Sequence, residues 1–235
     1  MAHENSGRGN AGDASSAPSN SHRLFFGVLP DEHMKDALGD VQDRVSELAR
    51  LRFGPEIARK LLRRIPAGNL HVTLHFLGEV PTSAFASLCG LLSEDQLDRD
   101  EPSAVQAGPL SQLPIPVTRV APSPMPGIAR PRAIVCDVTD PGASDALGRM
   151  HAHLARGLLD AGYPVEKRRY RPHVTLFYIR RTTRTRSLSD ELAEFFDDIA
   201  GLEAPVAEEQ AALSEVRLIE SVLKPSGAEY RSLCG

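Results

Sequence analysis

The chain has 235 residues, a net charge of −4, 25% charged residues and no tryptophan. That length buries a full core, as one large domain or two small lobes, and the acidic balance excludes general coating of DNA. No stretch is long or apolar enough to span a bilayer, and the N-terminus lacks a signal peptide's apolar region, so cytoplasm is the expected compartment.

Residues 1–21, rich in Gly, Ser, Asn and Ala without apolar periodicity, read as a disordered tail ahead of a single domain over residues 22–235. RLFFGVL over 23–29 reads as a buried strand ended by Pro30, after which Asp31 caps a helix. Met34, Leu38, Val41, Val45 and Leu48 form that helix's apolar stripe, and His33 in its first turn reads as a surface residue. The basic residues Arg59, Lys60, Arg63 and Arg64 follow, and residues 66–69 turn the chain into a hydrophobic run, LHVTLHFLG. A helix is expected from about Thr82, carrying Phe85, Leu88, Leu91 and Leu92. The proline-rich stretch 102–132 suggests short strands and turns, with exposed loops around 121–131. A strand over 133–138 precedes a helix opened by Ser144 or Asp145, running through Leu147, Met150, Leu154 and Leu158 to Gly162. His151 and His153 lie two apart on that helix, so they cannot form an i,i+4 metal pair and read as structural or surface residues. A second run, PHVTLFYI, comes next, then a helix capped by Ser189, and strand-like segments at 204–206, 213–222 and 230–233. Cys89, Cys136 and Cys234 are odd in number and scattered, which argues against a simple disulfide framework and for a reducing compartment.

The chain's most informative feature is its repeated tetrapeptide. HVTL occurs at His71–Leu74 and again at His173–Leu176, 102 positions later, each time in a strand-like run within the same local plan of strand, helix, strand, helix. Strand alternation puts His71 and Thr73 on one face, and likewise His173 and Thr175. Two imidazoles on opposite sides of a substrate can serve as base and acid in one step, and threonine hydroxyls can donate to anionic oxygens where charge builds. Cations cluster around both copies, most densely from Lys167 through Arg186 without an intervening Asp or Glu, which favours a phosphate-bearing substrate.

These residues resemble the two-histidine phosphoesterase superfamily, defined by two H-x-T/S-x tetrapeptides. The opening RLFFGVLP, the two motif segments and the tail VRLIESVLKPSGAEYRSL are similar to its RNA 2′,3′-cyclic phosphodiesterases, the 2′–5′ RNA ligase family. The resemblance implies an α+β, bilobal fold: two pseudo-symmetric lobes of antiparallel sheet with flanking helices around a central cleft. It implies hydrolysis of an RNA 2′,3′-cyclic phosphate to a 2′-phosphomonoester without metal or other cofactor. His173 would be the general base that activates water, His71 the general acid at the leaving 3′-oxygen, and Thr73 and Thr175 the holders of the non-bridging oxygens. The alternatives are 2′–5′ RNA joining at the same site, or a low-turnover module that binds RNA ends. The expected partners are RNA ends or nucleotides bearing the cyclic phosphate, with no membrane and a monomeric chain. Many relatives carry an arginine where this chain has Tyr178. Either Arg180 or Arg181 supplies that cation from a shifted place, or the contact is lost. His75, on the face of His71 and Thr73, is a candidate for the cleft rim. Its repeat counterpart Phe177 is a candidate for stacking on a base, while Ser221 and Tyr230 read as structural.

Overall fold

A computed structural model describes residues 21–93, 113–127, 131–138, 140–180, 189–202, 204–205, 211–225 and 227–235. Of the tail expected over 1–21, residues 1–20 lie outside them, and Ser21 already opens the first strand.

Strand β1 (Ser21–Pro30) leads into helix α1 (Glu32–Phe53), and the Asp31 side chain accepts from the Met34 amide at 2.8 Å, as an N-cap should. The stripe Met34, Leu38, Val41 and Val45 is fully buried and continues through Ala49 and Phe53, each large apolar side chain contributing about 1.5–3 kcal/mol. The chain continues through α2 (Pro55–Leu61), β2 (Leu62–Arg64), a single 3₁₀ turn at Ala67–Asn69, and β3 (Val72–Pro81), which carries the first motif from Val72 on, with His71 just before it. A second 3₁₀ turn at Thr82–Ala84 and α3 (Phe85–Gly90) replace the longer helix expected there. Strands β4 (Ile115–Pro116), β5 (Arg119–Met125) and β6 (Ala133–Val138) follow, then α4 (Pro141–Asp160), β7 (His173–Ile179), α5 (Ser189–Ala200), β8 (Ala204–Pro205), β9 (Ala212–Lys224) and β10 (Gly227–Cys234).

Two sequence-based boundaries move. Helix α4 opens at Pro141, not at Ser144 or Asp145, because the Asp140 carboxylate caps the Gly142 and Ala143 amides and proline fits the first helical position. Much of the expected loop around 121–131 is strand: β5 runs to Met125 with Val120 and Pro122 buried, and its prolines are tolerated where a strand needs fewer amide donors.

The strands form one sheet in the order β10-β9-β1-β3-β7-β6-β5-β8, with β2 added beside β7 and β4 beside β9; each described pairing is antiparallel. Outward from the centre, β3-β1-β9-β10 mirrors β7-β6-β5-β8. The mirror halves touch at one paired position, Val72 opposite Val174, so the two motifs meet where the sheet opens. Helices pack on the apolar face, and the opposite face holds the motif histidines.

The helices cross between halves. Gln42 of α1, itself buried, donates to the carbonyls of Ile65 (3.0 Å) and Leu176 of β7 (2.9 Å). Phe53 meets Phe195 of α5 edge-on at 5.4 Å. In return α4 packs on β3, where the His75 and His151 rings stack at 4.1 Å.

One sequence expectation fails outright. Cys89 at the end of α3 and Cys234 in β10 form a disulfide across 145 residues of sequence, leaving buried Cys136 as the free cysteine. The scattered spacing concealed this because the two half-cystines are brought together by the return of β10 along β9. No described helix is long and apolar enough to cross a membrane.

Candidate active site

His71 and His173 are held alike. The Nδ1 of His71 donates to the carbonyl of Asn69 at 2.9 Å, and the Nδ1 of His173 donates to the carbonyl of Arg171 at 2.7 Å. A carbonyl can only accept, so each bond assigns the hydrogen to Nδ1 and leaves Nε2 for chemistry. The anchoring carbonyls are themselves tied down. Asn69 donates its side-chain amide to the carbonyl of Ala228 in β10 at 2.8 Å, and Arg171 binds Asp137 and Ser123. Thr73 Oγ1 lies 3.1 Å from His71 Nε2. Thr175 is half-buried on the same face of β7 as His173, opposite Val135.

The surroundings differ. His71 is packed by Phe25 (ring centroids 4.7 Å apart) and met edge-on by Tyr230 at 5.2 Å. Opposite Thr73 stands Gly27, where an added Cβ would come 3.1 Å from the Phe25 ring and 3.4 Å from the His71 ring. Burial pushes the His71 imidazole below its usual proton affinity; the Asn69 carbonyl partly offsets this, and nearby His173 lowers it further. His71 therefore rests as a neutral imidazole.

Just past each motif the strand alternation breaks. In β3 the partners of Gly27 and Phe26 are Thr73 and His75, so Leu74 is the extra residue of a bulge. In β7 the partners of Val135 and Ile134 are Thr175 and Phe177, so Leu176 is the extra residue. The freed Leu176 carbonyl accepts from the Ile65 amide and from Gln42. Each bulge reverses the facing of the residues beyond it, which corrects two expectations. His75 does not share the face of His71; it is 4% exposed, bonded through Nε2 to the His151 carbonyl at 2.8 Å and stacked in a column His75–His151–Tyr170. Phe177 is 1% exposed in the core and has no face to offer a base. The next residues, Phe76 and Tyr178, turn to the cleft face instead, 55% and 43% exposed. Arg23 lies over the Phe76 ring at 4.9 Å and Arg63 over the Tyr178 ring at 5.3 Å.

The basic runs are thinner than they read. Lys60 is paired with Glu56, Arg64 with Asp43, Arg168 with Glu166 and Arg171 with Asp137. Arg180 is exposed just past β7, its amide bonded to the Leu61 carbonyl, and Arg181 lies outside the described residues. Sequence reading took Tyr230 only as structural and missed Gly27. A glycine inside a strand signals close approach of a neighbour, and that signal was present at Gly27; nothing local showed that Tyr230 would reach His71. Among the described residues no group of three or more His, Cys, Asp or Glu is placed to hold a metal.

Comparison with known proteins agrees with this architecture. The model of the 2′-5′ RNA ligase superfamily matches residues 39–219, and the chain belongs to that family. The resemblance to the two-histidine phosphoesterases read from the paired tetrapeptides is thus borne out at the level of family. A curated protein of Aeropyrum pernix, described as an RNA 2′,3′-cyclic phosphodiesterase, is 27% identical over 189 residues, covering 80% of this chain and 93% of that one. The crystal structure of TT0787 of Thermus thermophilus is similar in fold, with a TM-score of 0.55, 22% identity and coverage of 90% and 94% of the two chains. That of E. coli LigT complexed with phosphate has a TM-score of 0.53, 18% identity and coverage of 92% and 96%.

Proposed function

We propose that this chain hydrolyses RNA 2′,3′-cyclic phosphate ends to 2′-phosphomonoesters by paired imidazole catalysis, without a metal. The observation that carries the reading is the matched fixing of His71 and His173, each by Nδ1–H to a carbonyl two residues upstream, which turns Nε2 to the chemistry; at His71 that nitrogen accepts from the Thr73 hydroxyl until substrate takes its place. In this reading His173 Nε2 takes a proton from water, whose oxygen attacks phosphorus. The bond from phosphorus to the 3′-oxygen breaks, and protonated His71 gives its Nε2 proton to that oxygen. Thr73 and Thr175 donate to the non-bridging oxygens as charge builds.

His71 is poorly disposed to hold a proton on its own, and an arriving phosphodiester anion raises its proton affinity. The acid is thus armed by its own substrate. The A. pernix relative and the phosphate-bound LigT support the same substrate class. Phosphorus NMR of the product from a 2′,3′-cyclic nucleotide, with and without EDTA, tests the reading. A 2′-phosphate formed at the same rate in both is expected; no product, a 3′-phosphate, or abolition by EDTA would overturn it.

A further inference from the structure

The residue that departs from the family pattern has a structural setting of its own. Tyr178 lies five positions after the second histidine, and the bulge at Leu176 turns its ring onto the cleft face while Phe177 takes the core. Because β3 and β7 are antiparallel through Val72 and Val174, the stretch of β7 beyond Thr175 runs on the His71 side of that pair. Tyr178 is therefore on the side of the imidazole assigned to the leaving 3′-oxygen. Burial first, then the charge of the Tyr178 phenol, raises the hold of Tyr230 on its proton, with Arg23 and Arg63 acting against them.

Arg63 fixes how the Tyr178 ring is offered. It sits opposite Tyr178 in the β2–β7 pairing, and its guanidinium lies over the ring at 5.3 Å. Among the described residues Arg63 has no carboxylate partner. Gly227, at a φ of +137°, starts β10 beside it, where a Cβ would come 3.1 Å from the guanidinium. A guanidinium on one face of an aromatic ring pre-orients it and leaves the other face for a flat ligand. The flat part of a nucleoside cyclic phosphate is its base, and aromatic stacking of a base is worth a factor of about ten or more in affinity.

We propose that Tyr178, backed by Arg63, is the specificity-determining platform that stacks the base of the nucleoside whose 3′-oxygen leaves. This rests on the cyclic phosphodiesterase reading above. The chain would then prefer purines, with their larger stacking face, at the position where relatives place a cation.

The test compares kcat/KM for adenosine 2′,3′-cyclic phosphate, uridine 2′,3′-cyclic phosphate and 1-O-methylribose 2,3-cyclic phosphate, which has no base. In the wild-type protein the adenosine substrate is expected to exceed the baseless one about tenfold or more, with uridine between. Tyr178→Ala should bring that ratio close to one, Tyr178→Phe should keep it, and Phe76→Ala on the other side of the histidine pair should not collapse it. A wild-type ratio near one overturns the proposal, as does a ratio unmoved by Tyr178→Ala or lost in Phe76→Ala. An equal loss for all three substrates reproduced by Tyr178→Phe would also overturn it, because that marks a hydroxyl contact to phosphate. If the wild type turns over none of them, the phosphodiesterase reading fails separately. Calorimetric binding of adenosine 3′-phosphate against ribose 3-phosphate then decides the platform by the same ratios.

Discussion

The two motif strands share a backbone plan and differ in what surrounds them. Both carry histidine, threonine and a bulge in the same places, and both send the residue after the bulge into the core. Beside β3, however, the neighbouring strand offers Gly27 opposite Thr73, and Phe25 and Tyr230 close over the His71 ring. Beside β7 the corresponding position is Val135, and His173 rests on a carbonyl fixed by the Arg171–Asp137 pair. A duplicated frame thus provides two imidazoles of equal tautomer and unequal environment, which is what separates an acid from a base.

The largest effect should come from removing either member of the pair. His71→Gln and His173→Gln are each expected to lower kcat on a cyclic nucleotide by about 10²–10⁴-fold with the far-ultraviolet spectrum unchanged. Full activity in either variant would end the acid–base pairing. Making the first half resemble the second comes next. Gly27→Val drives a side chain into the Phe25 and His71 rings, and an overpacking penalty of about 1–3 kcal/mol is expected in denaturant titration, with a clear loss of kcat/KM. A silent Gly27→Val would mean that His71 has room to spare.

A smaller effect isolates the electrostatic part. Proton NMR should place the His71 titration below 6.5, and His173→Gln should move it upward, because a repelling neighbour has gone, while burial keeps it below the usual value. A downward shift would contradict the arrangement. The smallest effect is on stability. His71, His75, His151 and His153 all hold protons less well folded than unfolded, His151 down to about 4. The unfolded chain therefore binds more protons as pH drops below 6.5, and stability falls in that direction. A Tm that declines from about pH 7 to about pH 5, and declines less in His151→Gln, is the expected outcome; a Tm that rises on acidification would contradict it.

The strands carrying HVTL, the Asp31 cap and the α1 stripe were legible because each is written in local chemistry. The face of His75 and Phe177 was not, because a bulge is a property of pairing: nothing in LHVTLHFLG states that Gly27 and Phe26 will oppose Thr73 and His75. The same limit hid the Cys89–Cys234 bond and the reach of Tyr230, which depend on where β10 returns. Charge was over-read for a related reason. The run from Lys167 contains no acid in sequence, yet Arg168 finds Glu166 just before it and Arg171 finds Asp137, 34 positions upstream on β6.

The crossing of the helices means that the repeat is not modular. Gln42 of α1 caps the bulge in β7, while His151 of α4 covers His75 in β3, so each half seals the strand of the other. Cutting the chain between α3 and β4 would leave two fragments, each with an uncovered motif strand and a helix lacking its seat. Neither would be a smaller version of the whole. The two halves repeat one plan, yet they form an interlocked pair that must assemble together, and activity is expected to return only on mixing the two fragments.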